Sequence, residues 1–180
     1  MRDHSEAIHL LESEALTDVL VGGFVDRESG AARFHPMLDS VYLRFGKRYL
    51  RCLAEDQEYA FTLEVMETIT RDFPIEEEDE FCVASLFGVL LGDGFTARPV
   101  ITFRAIPADA SGRGEALSAC EFLFEDAEGL RIEPMIPHGL RLSSTRDGGA
   151  LDEALPPGGG VTWTRTRRHE ADGRPQQGEV

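Results

Sequence analysis

Apolar and polar positions alternate most regularly between residues 40 and 53. Residues 40–45 and 48–53 both alternate, and Gly46 and Lys47 separate them. A two-residue loop that begins with glycine is typical of a tight β-hairpin turn. The predicted register pairs Phe45 with Arg48, Arg44 with Tyr49, Leu43 with Leu50 and Tyr42 with Arg51. One face of this hairpin is apolar and consists of Val41, Leu43, Leu50 and Cys52. The other carries Arg–Tyr pairs, which suit a half-exposed surface.

Similar patterns predict further strands. Residues 59–66 alternate and predict the third strand of a meander. Residues 100–106 form a strand-like run between two prolines, which limit its length. Residues 119–125 and 130–133 flank a polar turn and predict a second hairpin, and residues 139–142 predict a short edge segment. Glu121 and Glu125 fall on one face of that hairpin, which we expect to be solvated.

Two segments fit more than one element. Residues 4–16 show helical spacing of apolar side chains and predict a helix that Gly22-Gly23 ends, although residues 17–25 also fit a strand. Asp3, with Glu6 three residues later, indicates the start of the helix. The apolar run 81–91 fits a buried strand or a short core helix, and its nearby glycines favour the strand.

These elements predict an α+β fold. We expect an N-terminal helix, a mainly antiparallel sheet of five to seven strands and a flexible C-terminal tail. The single domain is predicted to span residues 1–144. Residues 145–180 are rich in glycine, proline and polar side chains, as is typical of a tail.

Charge narrows the choice of partners. The 180 residues include 33 acidic and 18 basic side chains, which give a net charge of −15. This balance favours a basic partner and disfavours direct binding of nucleic acid. The N-terminus has no signal-peptide pattern, and no apolar run is long enough to span a membrane, so we expect no membrane contact and a cytoplasmic protein.

The acidic run 76–80 is the strongest candidate for a binding site. Such a run is often only a solubilising loop, but it can also steer a cationic partner. Aromatic residues flank it, and aromatic anchors beside charges are typical of an interface, although they also tether loops to a core. The predicted partner-binding residues are Phe73, Glu76, Glu77, Glu78, Asp79, Glu80, Phe81 and Asp93.

Catalytic and metal sites have weaker signals. Cys52, Cys82 and Cys120 are far apart in sequence and lie in apolar stretches, so we expect buried, reduced thiols and no metal site. A Cys–His pair would need the fold to bring His35 or His138 beside a cysteine. No Gly-x-Ser-x-Gly or phosphate-loop motif is present, and no cofactor is expected.

The tail contains a small basic and aromatic cluster. It consists of Trp163, Arg165, Arg167 and Arg168. Four residues are weak grounds for nucleic-acid binding by so acidic a protein. An arm that docks on the protein's own acidic surface is the stronger hypothesis, and a disordered segment is the alternative.

The acidic body and the segments 41–46 and 121–126 make the chain similar to small acidic immunity proteins that bacteria pair with toxins. The resemblance covers roughly residues 17–142 and implies an inhibitor that occludes a basic cleft of its partner. A broader hypothesis is an acidic binding protein, including a mimic of nucleic acid. The rival hypotheses are a small hydrolytic enzyme with carboxylate or Cys–His chemistry, and a structural or adaptor protein. The oligomeric state stays open.

Overall fold

Ten antiparallel strands and two helices make up the described part of the chain. The computed structural model describes residues 4–27, 30–55, 59–71, 73–77, 79–92, 96–108, 116–126, 128–145 and 161–165. In chain order the elements are α1 (Ser5–Ser13), β1 (Leu16–Asp26), β2 (Arg33–Phe45), β3 (Arg48–Glu55), β4 (Ala60–Met66), β5 (Glu80–Ser85), α2 (Phe87–Leu91), β6 (Val100–Pro107), β7 (Leu117–Phe124), β8 (Gly129–Pro134), β9 (Leu140–Ser144) and β10 (Val161–Thr164). The predicted N-terminal helix and antiparallel sheet are confirmed, but the predicted number of five to seven strands is wrong.

The strands form one sheet that forks at β7. The main path runs β10-β6-β7-β4-β3-β2-β1-β5, while β8 pairs with β7 and β9 pairs with β8. The start of β7 meets β4 through Leu117 and Phe61, and residues 120–123 of β7 pair with β8 instead. Apolar side chains from both branches meet in one core, against which the helices pack. α1 packs against β4, and α2 packs against β1, β8 and β9.

The hairpin of β2 and β3 has the predicted register. All four predicted pairs, from Phe45 with Arg48 to Tyr42 with Arg51, are present. Gly46 has a φ of +58°, which explains why glycine begins the turn. The predicted apolar face is fully buried. The opposite face is less exposed than predicted, because Tyr42 is only 1% exposed.

The N-terminal helix ends, and the first strand begins, earlier than predicted. α1 ends at Ser13, and Glu14 already has extended backbone angles. Asp3, the predicted start signal, lies outside the described residues. Gly22 and Gly23 do not end the helix but lie within β1, as the strand alternative required. A Cβ on Gly23 would lie 2.3 Å from the carbonyl oxygen of His35, so glycine permits the close approach of β2.

The apolar run 81–91 is strand in its first half and helix in its second. Phe81 pairs with Phe24 of β1, and the strand ends at Ser85. The hydroxyl of Ser85 accepts a hydrogen bond from the N–H of Phe87, at 3.3 Å. Phe87 and Leu91 are one turn apart in α2 and are both buried. Preference for a strand throughout this run was therefore wrong for residues 87–91.

Part of the predicted tail lies in the fold. Residues 161–164 form β10 and pair with β6. The guanidinium of Arg165 donates to the carbonyl oxygens of Leu11 and Glu12, at 2.7 and 2.9 Å. The indole N–H of Trp163 donates to the carboxylate of Glu12, at 3.2 Å. A cation at the last carbonyls of a helix is stabilised by the helix dipole. The remainder of the predicted tail, residues 146–160 and 166–180, lies outside the described residues.

Ion pairs connect the outer faces of β6 to β9. Glu121 lies opposite Arg104 on β6 and Arg131 on β8, and it is 1% exposed, so its predicted solvation is wrong. Glu133 accepts hydrogen bonds from Arg131 at 2.6 Å and from Arg141 at 2.9 Å. Burial raises the pKa of Glu133, but the two arginines outweigh burial and hold that pKa below its usual value of 4.5.

We expect Gly46→Val to lower the free energy of unfolding by about 1–3 kcal/mol, because valine disfavours a positive φ. A Cβ at this position would also lie 2.9 Å from the carboxyl group of Glu14. Denaturant unfolding measures the change, and Lys47→Ala in the same turn is the control. Equal effects of the two substitutions would contradict the turn geometry.

Arg165→Ala should lower the free energy of unfolding by about 1–2 kcal/mol, because it removes two charge-assisted hydrogen bonds to α1. Thermal and denaturant unfolding of the full chain provide the measurement. Arg27→Ala is the matched control, since Arg27 forms an exposed ion pair with Glu80 that should add little stability. A loss no larger than that of the control would show that the docked segment does not stabilise the domain.

Glu133→Gln should destabilise the protein at neutral pH and have progressively less effect in acid. A carboxylate whose pKa is lower in the folded state stabilises the fold above its unfolded pKa of about 4.5. That stabilisation is lost as the pH falls through the lower folded pKa. Urea unfolding of both proteins from neutral pH down to about pH 3 tests this expectation. A difference that stays constant over that range would contradict it.

Candidate functional site

A break in strand pairing creates two adjoining pockets. Val21 of β1 pairs with Val41 of β2, and Gly23 pairs with Pro36. Between these two pairs β1 advances by two residues, whereas β2 advances by five. The ladder between β2 and β3 also stops, at the pair of Ser40 with Leu53. The three extra residues of β2 therefore pair with neither neighbouring strand. Such bulges reshape a sheet locally and often lie beside functional sites.

The first pocket has a volume of about 310 Å³. Its lining is mostly apolar and aromatic, with a few polar groups. The residues that line it are Gly22, Met37, Asp39, Ser40, Tyr42, Leu53, Ala54, Thr70, Phe73 and Phe81. This volume is at the lower end of the range for ligand pockets, roughly 300–1,000 Å³. The pocket can therefore receive a side chain or a small ligand.

Three aromatic rings form part of its wall. The rings of Phe73 and Phe81 have centroids 6.0 Å apart and planes inclined by 55°, a favourable tilted contact. Gly22 of β1 lies against both of them, because a Cβ there would be 3.3 Å from the ring of Phe81 and 3.9 Å from that of Phe73. A larger residue at position 22 would press into the pocket.

The segment that follows β4 covers the third aromatic ring, which belongs to Tyr42. The hydroxyl of Tyr42 donates a hydrogen bond to the carbonyl oxygen of Thr70, at 3.1 Å. This contact ties the segment to the outer face of β2 and places Phe73 three residues later at the pocket. The same segment helps to bury Tyr42. The alternating strand pattern by itself does not predict that another segment covers this face.

The described members of the predicted partner-binding set lie on the segment from Phe73 to Phe81. Phe73 and Phe81 are half-buried and line the pocket, as the tethering alternative required. Between them, Glu76, Glu77 and Glu80 are exposed. Glu76 and Glu77 lie between Phe73 and the start of β5, and Glu80 is the first residue of that strand, next to Phe81.

The remaining residues of the predicted set differ in their surroundings. Asp79 is half-buried, and its N–H donates to the carbonyl oxygen of Glu76 at 3.2 Å. Glu80 forms an ion pair of 2.9 Å with Arg27, in which both side chains are exposed. Glu78 and Asp93 lie outside the described residues, so their predicted role stays a prediction.

The second pocket is smaller, at about 100 Å³, and shares Asp39 and Ala54 with the first. Glu55, Tyr59 and His138 also line it. Its neighbourhood is apolar at the surface, since Tyr59 is 64% exposed and Ile136 is 69% exposed. The loop between β8 and β9 closes one side, where Gly139 packs against the backbone of Leu38. The two pockets thus meet at the bulged part of β2.

Cys52 and Cys120 are buried as predicted, but Cys82 is only half-buried, so the prediction of three buried thiols is wrong for Cys82. Burial raises the pKa of Cys120 well above its ordinary value of 9.0, and contact with Cys52 raises it further. The thiol of Cys120 is therefore protonated at neutral pH and poorly suited to nucleophilic attack. Among the described residues, no three His, Cys, Asp or Glu side chains lie close enough together to hold a metal ion.

Sequence reasoning missed several residues of the first pocket. Ser40 was predicted as the start of a strand, Asp39 received no role, and Gly22 was predicted to end a helix. Their shared position depends on the three extra residues of β2 and on the segment that carries Thr70. The two consecutive glycines in an otherwise strand-like stretch were the available signal, because glycine in a strand often marks a close approach.

Neither helix in the described part of the chain combines the length and the apolar character needed to cross a membrane. Comparison of the chain with protein-family models, with curated proteins and with solved structures found no match.

Proposed function

We propose that this protein binds a basic protein partner and occludes part of its surface, as an immunity-type inhibitor does. The observation that supports this function best is the position of the acidic run. The exposed residues Glu76 and Glu77 lie between Phe73 and Phe81, which both line one pocket, and the exposed Glu80 begins β5 beside Phe81. Charges beside a concave aromatic surface offer a partner both attraction and an anchor.

The net charge of the protein also supports a basic protein partner. A net charge of −15 over 180 residues gives the protein a negative field that attracts cationic surfaces. Such a field accelerates association and disfavours acidic partners, nucleic acid included. The proposed partner is therefore a basic protein, possessing a cationic cleft or patch that complements the acidic run.

The pocket supplies well-packed contacts that exclude water, which surface charge alone does not provide. Exposed ion pairs contribute little to affinity, because water and salt screen them. Interface energy comes mainly from a few well-packed groups that are removed from water. Phe73 and Phe81 are half-buried and offer such a surface within one pocket.

We also propose a cytoplasmic location. Cys52 and Cys120 are both buried free thiols, and they contact one another in the core. Neighbouring thiols stay reduced in a compartment that disfavours disulfides. The inhibitor function needs no catalytic residue and no cofactor.

Hydrolysis is the second candidate function. The observation that favours it is the second pocket, where His138 lines the same small cavity as Asp39 and Glu55. A histidine with carboxylates nearby is a common general acid–base set. This candidate predicts that substitution of His138 abolishes an activity, whereas the inhibitor function predicts a stoichiometric complex that His138→Ala leaves intact.

The test compares two variants that each lose two exposed carboxylates. Glu76→Gln with Glu77→Gln removes charge from the acidic run, and Glu6→Gln with Glu14→Gln removes the same charge from the region of α1. We expect the wild type to retain one basic protein from an extract of its own cells. The purified partner should bind the first variant about tenfold more weakly and with less dependence on salt.

Isothermal titration at low and high salt measures these affinities. The control variant should bind within about twofold of the wild type, because its charges lie elsewhere on the surface. Thermal unfolding of all three proteins shows whether each variant is folded. If the two variants weakened partner binding equally, the effect would come from net charge alone. That result would contradict docking at the acidic run.

A further inference from the structure

We infer that the first pocket receives an arginine side chain of the basic partner, an inference that rests on the proposed function. The pocket offers the two features that a guanidinium group requires. Its walls include the half-buried aromatic rings of Phe73 and Phe81, and its lining includes the exposed acidic residue Asp39. Among the described residues that line it, none is basic.

The rings favour a flat, weakly hydrated cation. A guanidinium group stacks on aromatic faces and loses less hydration than an ammonium group when it leaves water. Phe73 and Phe81 are inclined to one another by 55°, so they form a corner and not a flat stack. The apolar stem of an arginine side chain can pack in that corner beside Leu53 and Met37, which also line the pocket.

Asp39 provides the charge that an apolar side chain would leave unpaired. It lies at the exposed edge of the pocket, where the bulged part of β2 separates from its neighbours. Burial of its carboxylate by an apolar group would cost free energy, because the carboxylate would lose water without gaining a partner. A guanidinium group replaces that water with charge-assisted hydrogen bonds. The chain's net charge of −15 further favours a cationic occupant.

The size of the pocket fits one side chain. A volume of about 310 Å³ exceeds what a few water molecules need and lies at the lower end of the range for ligand pockets. The neighbouring carboxylates of Glu76 and Glu77 lie outside the lining, so they can attract the partner without filling the pocket. Recognition then has two separable parts, a charged loop and an arginine pocket.

The experiment uses a small probe that separates these parts. The full chain, labelled with nitrogen-15, is titrated with N-acetyl-arginine amide and with its neutral analogue N-acetyl-citrulline amide, and amide shifts are followed by NMR. We expect saturable shifts at Gly22, Ser40 and Thr70 with the arginine derivative. The citrulline derivative should bind at least about fivefold more weakly, because it has the same shape without the charge.

Two substitutions test the pocket itself. Asp39→Asn should weaken binding of the arginine derivative about fivefold, and it should leave the fold intact because Asp39 is exposed. Gly22→Leu should block binding by placing a side chain against Phe81. If Gly22→Leu does not fold, Asp39→Asn and the citrulline comparison still decide the question. Glu76→Gln with Glu77→Gln should leave binding of the probe within about twofold.

The outcomes distinguish this inference from the proposed function. Equal binding of the two derivatives, or shifts confined to the second pocket around His138, would overturn the arginine pocket. If the probe fails to bind while the acidic-run variant still loses the partner, the inference is wrong and the proposed function stands. Weakening of both the partner and the probe by Asp39→Asn would support the inference.

Discussion

Burial of one face of β2 and β3 is the constraint on which the rest of the structure depends. Val41, Leu43, Leu50 and Cys52 are all fully removed from water. Because side chains alternate along a strand, a shift of one residue would expose this whole set. The same burial directs Ser40 and Tyr42 to the opposite face. The first pocket forms on that face, so the core pairing determines which residues are available to the site.

The candidate site arises where this regular pairing stops. Residues 37–39 of β2 pair with neither β1 nor β3, and β2 pairs with β1 again from Pro36. The segment after β4 returns over the opening through the hydrogen bond of Tyr42 to Thr70. The aromatic pocket therefore lies where the pairing of β2 is interrupted, and Phe73 and Phe81 at the two ends of the acidic segment both line it.

Local patterns predicted the elements whose signals are local. The turn at Gly46 and the hairpin register followed from alternation and from one glycine. Residues 87–91 were misassigned because a short apolar run fits a buried strand and a buried helix equally well. Strand β10 was missed because its four residues depend on pairing with β6 and on the contact of Trp163 with α1, both distant in sequence. Glu121 was expected in solvent because its arginine partners lie on two other strands.

The sequence by itself determined the acidic charge, the antiparallel hairpins and the presence of aromatic residues on both sides of the acidic run. Only the tertiary structure decided that Phe73 and Phe81 meet, that Tyr42 and Asp39 join them in one pocket, and that Arg165 docks on α1. The physical reason is the range of each interaction. Alternation and turn preference act over a few residues, whereas a pocket wall depends on contacts between segments that only folding brings together.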